Sequence, residues 1–121
     1  MFGLGPATRI YVATGATDMR KGFDGLYGRV RDVLGCDPLS GHLFLFANAK
    51  RTRLKALIFD GSGLWICAKR LEKGRFAWPK AADEEATHVR MRPEQLAMLL
   101  NGLDLARTQP RRGWFRLEKS A

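Results

Sequence analysis

The stretch RLKALIFDGSGLWICAKR, residues 53–70, limits what this chain can fold into more than any other. Two runs of β-forming residues, Arg53 to Asp60 and Leu64 to Arg70, flank the strong hairpin turn Asp60-Gly61-Ser62-Gly63. A turn closed on Gly61-Ser62 pairs Phe59 with Leu64, Leu57 with Ile66, Lys55 with Ala68 and Arg53 with Arg70. The next stretch, KRLEKGRFAWP at 69–79, reads as a second hairpin closed on Glu72-Lys73, with Gly74 to Trp78 as its returning strand. That hairpin sets Arg70 against Arg75, so Arg53, Arg70 and Arg75 form one row across three strands, with Lys55 a step away. Like charges directly opposite each other cost stability. Phosphates that neutralise such a row reverse the sign, so the row expects an anion. Register is the hinge of this reading: a one-residue slip turns every side chain to the other face, and a turn on Asp60-Gly61 breaks the row.

The charge distribution points the same way. Of the net +9, residues 50–80 supply +7, with nine Lys/Arg against two Asp/Glu. The flanks 1–49 and 81–121 each carry only +1. Charge so localised suits a surface for a polyanion better than general solubility, although a solvated basic face is the bland alternative. The residues that would contact nucleic acid are Lys50, Arg51, Arg53, Lys55, Lys69, Arg70, Lys73 and Arg75. Phe76 and Trp78 point away from Arg75 and read as core rather than as platforms for bases, and Trp65, inside a strand, reads as core too.

The rest of the chain supplies the remaining layers. Thr8 to Ala13 alternates as a strand. Phe23, Leu26, Tyr27, Val30, Val33 and Leu34 form a helical apolar stripe, with Asp18 (or Thr17) as N-cap and Gly35 as the stop. Leu43 to Phe46 is apolar on both faces and reads as a fully buried strand. Asn48 to Thr52 is a polar loop, His88 to Met91 a short strand, and PEQLAMLLNG a helix opened by Pro93 and ended by Gly102. The expectation is an α+β fold: one domain over 1–105, a mostly antiparallel β-meander of four to six strands with two helices covering one face. Residues 106–121 follow as a basic, flexible tail.

Other chemistries find little support. Cys36 and Cys67 are far apart, His42 and His88 are isolated, and no metal-ligand spacing or cofactor motif occurs. Asp18, Asp24, Asp37, Asp60 and Glu72 are the carboxylates a phosphoryl-transfer enzyme would need to converge. Each has a local role instead: Asp18 as a cap, Asp37 and Asp60 in turns, Glu72 at a hairpin tip, and Asp24 paired with Arg20. No nucleophile elbow or phosphate loop appears, so a non-enzyme is expected. The longest apolar runs are too short to span a bilayer, and no secretory signal opens the chain, so a cytoplasmic protein without membrane contact is expected.

The segments ATGATDMRKGFDGL, DPLSGHLFLF, LIFDGSGLW, KRLEKGRFAWP and QLAMLLNGLDL, in this order and spacing, resemble the TnpB (Orf2-like) accessory proteins of insertion sequence family sixty-six. The resemblance runs from about Arg9 to Leu105 and departs in the loop Asn48 to Thr52 and in the tail. By position, the motif residues here are Asp18, Met19, Arg20 and Lys21, then Lys69, Arg70, Leu71, Gly74, Arg75 and Phe76. The resemblance implies a small protein encoded beside a much larger transposase, needed for transposition without cutting strands itself. Its partners would be transposon-end DNA, the transposase and other element-encoded proteins. Three roles are compatible with that: a DNA-binding accessory factor, an adaptor docking on the transposase without touching DNA, and a phosphoryl-transfer enzyme. Salt dependence separates the first two, and magnesium dependence would mark the third.

Overall fold

Why the chain ends up as a mixed sheet follows from strand β2, Leu43–Ala47, whose five residues are all buried. A strand apolar on both faces needs cover on both sides. In a computed structural model, which describes residues 5–104 and 109–110, β2 lies at the centre of a five-stranded sheet of order β4-β3-β2-β1-β5. The other strands are β1 (Ile10–Ala16), β3 (Arg53–Phe59), β4 (Leu64–Arg70) and β5 (His88–Met91). Three of the four neighbour pairs are antiparallel, and β1 with β2 is parallel. Parallel neighbours require a crossover, supplied here by helix α1 (Phe23–Gly28) and the wider π-helical turn Arg29–Val33 that continues it.

The two helices lie on opposite faces, a correction to the expected one-face cover. Leu26 and Val30, with Leu34 beyond the turn, pack on the face formed by Ala13, Phe44, Phe46 and Leu57. These three apolar residues are spaced by four, which overshoots a 3.6-residue turn, and the wide turn, closed by Leu34 N–H donating to Arg29 O at 3.0 Å, restores their alignment. Phe23 and Val33, expected in the same stripe, are exposed. Helix α2 (Pro93–Asn101) covers the other face, where Leu96 and Leu99 meet Ile10, Val12, Leu43, Leu45, Leu54, Ala56 and Ile58. Beyond it, the backbone of Leu103–Asp104 pairs antiparallel with Gln109–Pro110, as strands β6 and β7. The rest of the tail expected over 106–121 lies outside the described residues. Among the described residues, no helix is long and apolar enough to cross a membrane.

The register expected for the first hairpin is the one observed, from Phe59 opposite Leu64 to Arg53 opposite Arg70. Asp60 holds its turn: one carboxylate oxygen accepts from the Ser62 and Gly63 amides and the Ser62 hydroxyl, and the other from Trp65 Nε1 at 2.7 Å. The second hairpin does not form. After Arg70 the chain bends away, and 76–80 carries no strand. Instead the Leu71 amide donates to Thr52 O and the Phe76 amide to Arg51 O, so the segment crosses beneath the β2–β3 loop and drives Phe76 into the α2-side core. Trp65, expected as core, is 54% exposed.

Candidate nucleic-acid interface

Basic residues gather at one end of the sheet, where β1, β2 and β4 finish and β3 begins. There Arg53 and Arg70 stand directly opposite each other, with Lys55 one step along the same face. They line a shallow depression of about 380 Å³ together with Met19, Lys69 and Glu72. Three cations on this face, Arg53, Lys55 and Arg70, thus meet one carboxylate. Glu72 accepts from Arg70 at 3.1 Å, but both side chains are largely exposed, so solvent screens most of that attraction.

The second motif segment meets the first at this depression. Asp18 does not cap α1, whose N-cap is Gly22 with no side-chain bond. The helix starts too late for that, and Asp18 instead accepts from the Arg20 amide at 2.9 Å while gripping the Arg20 guanidinium through both oxygens, the closest at 2.7 Å. That grip holds the Asp18 carboxyl well below the usual carboxylate range. Arg20 therefore pairs with Asp18 rather than with Asp24, and neither it nor Lys21 lies in a first helical turn. The tight turn brings Met19 against the depression and turns Lys21 O toward the sheet, where it accepts from Lys55 Nζ at 2.8 Å.

The other expected contact residues divide. Lys69 belongs to the α2 face, and its ammonium donates to Leu100 O at 2.7 Å, which suits a cation at a helix C-terminus. Lys50 and Lys73 are exposed. Arg75 leaves the row because its strand is absent, and with Arg51 it lines a separate cleft of about 760 Å³. Gly74 turns the chain before it at φ +75°, which accounts for glycine at that motif position.

This cleft forms around a bulge in β1. Val12 pairs with Leu45 and Ala16 with Ala47, so β1 spends two extra residues between them. The carbonyls of Ala13 and Thr14 are taken up elsewhere: Trp78 Nε1 donates to Ala13 O at 2.7 Å and the Arg51 guanidinium to Thr14 O at 2.8 Å. Arg51 also lies over the Trp78 ring, 5.4 Å from its centroid, and its own backbone sits at φ +58°. Burial pushes the Arg51 pKa down. Arg29, on the π-helical turn, lines the same cleft and was not foreseen in the sequence. The one signal for it was Gly28 just before it, a weak helix former where the helix widens.

Asp37 and Asp60 are likewise occupied with their own turns. His42 accepts the Arg9 amide on Nδ1, which fixes the start of β1 beside β2. Its protonation is disfavoured by burial and by the nearby charges of Arg9 and Arg90.

Comparison with known proteins places this geometry in a lineage. The protein family described as IS66 Orf2-like matches residues 8–110. Two relatives from Sinorhizobium fredii (strain NBRC 101917 / NGR234) are similar over most of their length. The uncharacterized protein y4hO is 43% identical over 104 residues, covering 86% of this chain and 88% of the relative. The uncharacterized protein y4jC is 38% identical over 109 residues, covering 90% and 91%. No solved structure gives a significant match.

Proposed function

The chain belongs to the family of IS66 Orf2-like proteins, which ties it to insertion-sequence transposition, and from that membership we propose a non-catalytic accessory protein that holds nucleic acid on the basic end of its sheet. The observation that carries this reading is the Arg53–Arg70 pair, two like charges kept face to face in a register fixed by seven consecutive partners. Such a pair is unfavourable alone and favourable against phosphates. The Asp18–Lys21 turn adds Lys55's anchor and the Met19 wall to the same depression, which sets Met19 of one motif segment beside Arg70 of the other. The partner that fits this chemistry is transposon-end DNA within a transposase assembly.

A second reading, docking on the transposase without DNA contact, is favoured by one observation. Strand β4 is an open edge of the sheet and carries the exposed Trp65, features that suit strand addition by a protein partner. A salt-titrated binding assay with transposon-end and random duplexes, with and without the transposase, separates the two. Contact with about three phosphates predicts a log–log salt slope of about −2.7 without the transposase. Binding that requires the transposase and ignores salt would favour the adaptor, and magnesium-dependent strand cleavage would overturn both.

A further inference from the structure

The cleft at the β1 bulge concentrates positive charge that the protein itself leaves unmatched. Its lining includes Arg29, Arg51, Arg75 and Lys80, against Asp83 and Glu84. The four salt bridges among the described residues involve Arg20, Arg31, Arg70 and Arg92, so none neutralises a guanidinium of this cleft. Asp83 is engaged in its own turn, accepting from the amides of Glu85 and Ala86 at 2.9 Å each.

Arg29 supplies the sharper observation. Its terminal nitrogen donates to Ala16 O at 3.3 Å and to Thr17 Oγ1 at 3.5 Å, which fixes the guanidinium against the end of β1. Its Nε is buried and has no acceptor. A buried donor left unmade is expensive and rare in folded chains, which marks Arg29 as a guanidinium whose bonding the chain itself does not complete. Arg51 is held by Thr14 O, by Asn48 O at 3.5 Å and by the Trp78 ring, and a guanidinium carries five N–H donors, so donors remain after those bonds. Arg75 is exposed and open to solvent at the mouth. Two anchored guanidiniums and one exposed one, with an excess of two positive charges along the walls, match a doubly charged tetrahedral oxyanion.

We propose that this cleft is a phosphate-binding site in which Arg29, Arg51 and Arg75 hold one phosphate group. The site is separate from the Arg53–Arg70 depression and rests on the nucleic-acid reading only for what carries the phosphate, an end group or an internal phosphodiester. The wide turn that bears Arg29 would then serve ligand binding as well as packing, as such turns often do.

The test uses the full chain and inorganic phosphate, titrated calorimetrically at ionic strength held constant with chloride. Saturable binding is expected in the wild type and in Arg9→Ala, which loses the same charge at the opposite end of β1. Arg75→Ala, an exposed position, should weaken phosphate by tenfold or more, as should Arg29→Gln. No saturable phosphate binding, or an Arg75→Ala variant that binds phosphate like the wild type, would overturn the site. Duplexes with and without a 5′-phosphate then identify the carrier. A preference lost in Arg75→Ala marks the end group, and equal binding with a reduced salt slope marks the internal phosphodiester. Phosphate bound normally by a protein that ignores DNA would retain the cleft and overturn the nucleic-acid reading.

Discussion

Arg53 and Arg70 face each other across β3 and β4, and Glu72, the carboxylate that lines their depression, binds Arg70 at the solvent surface. Removing Arg70 relieves repulsion on one side and breaks a screened ion pair on the other. The two effects are of similar size and opposite sign. Arg70→Ala should therefore shift folding stability by no more than about 1 kcal/mol. Its nucleic-acid salt slope should fall by about one unit. A urea melt and a salt-titrated affinity on this variant check both, and a large loss of stability with unaltered binding would make the pair structural.

Trp78 reads differently from a base-stacking platform. One face of its ring carries Arg51 and its Nε1 satisfies a carbonyl released by the β1 bulge. Trp78→Phe keeps the ring but loses that hydrogen bond, which should cost about 0.5–1.5 kcal/mol. Chemical denaturation measures the loss. The salt slope of nucleic-acid binding should stay at the wild-type value, and a reduced slope would return Trp78 to the binding surface.

The first hairpin carries a pH dependence of known sign. Trp65 Nε1 first, and then the Ser62 and Gly63 amides, hold the Asp60 carboxyl well below the usual carboxylate range. A carboxyl depressed in the folded state stabilises the fold above its unfolded pKa, and loses that contribution as pH falls from about 4 toward the folded value. Asp60→Asn keeps an acceptor but no charge. It should be less stable than the wild type at pH 7, with the gap narrower at pH 2. Thermal melts at both values test this, and a gap that widens in acid would contradict the assignment.

How much of this was legible depended on how local the determinants are. The pairing of residues 53–70 is fixed by a two-residue turn and by alternation, both written in contiguous sequence, and every expected pair of that hairpin occurs. Phe76 was legible as core, but the strand around it was not, because its path depends on carbonyls of the distant Arg51 and Thr52. Trp65 misled for a related reason. It sits at the Asp60 end of an edge strand, whereas α2 reaches β4 at Lys69, so the indole stays about half exposed. The parallel β1–β2 pairing and the opposite placement of the helices arise from the crossover between them, which no residue pattern within either strand records. The need for cover on both faces was nonetheless implicit in the five-residue apolar run of β2. Of the basic residues, composition gave the region, while the division between depression and cleft followed from the β1 bulge. The motif TDMRKG likewise gave the residues without their geometry, because Asp18 can serve a cap or a turn with the same side chain.

That turn makes the last prediction. Asp18 neutralises Arg20, whose side chain is 92% exposed beside the turn that supplies Met19 to the basic depression and Lys21 O to Lys55. The pairing holds the Asp18 carboxyl below the usual carboxylate range, so the Arg20 charge stays matched near neutrality. Asp18→Asn preserves an oxygen for the Arg20 amide, and hence the turn, but releases the guanidinium. If the depression holds phosphates, the freed Arg20 joins it: affinity rises at low salt and the salt slope steepens by about 0.9, the contribution of one added phosphate contact. The melting temperature should move little, because the bond that shapes the turn survives. Salt-titrated binding of Asp18→Asn beside Asp18→Ala, which loses the turn as well, isolates the charge from the conformation. An unchanged slope in Asp18→Asn would mean that bound nucleic acid does not reach this turn, and would confine the interface to Arg53, Lys55 and Arg70.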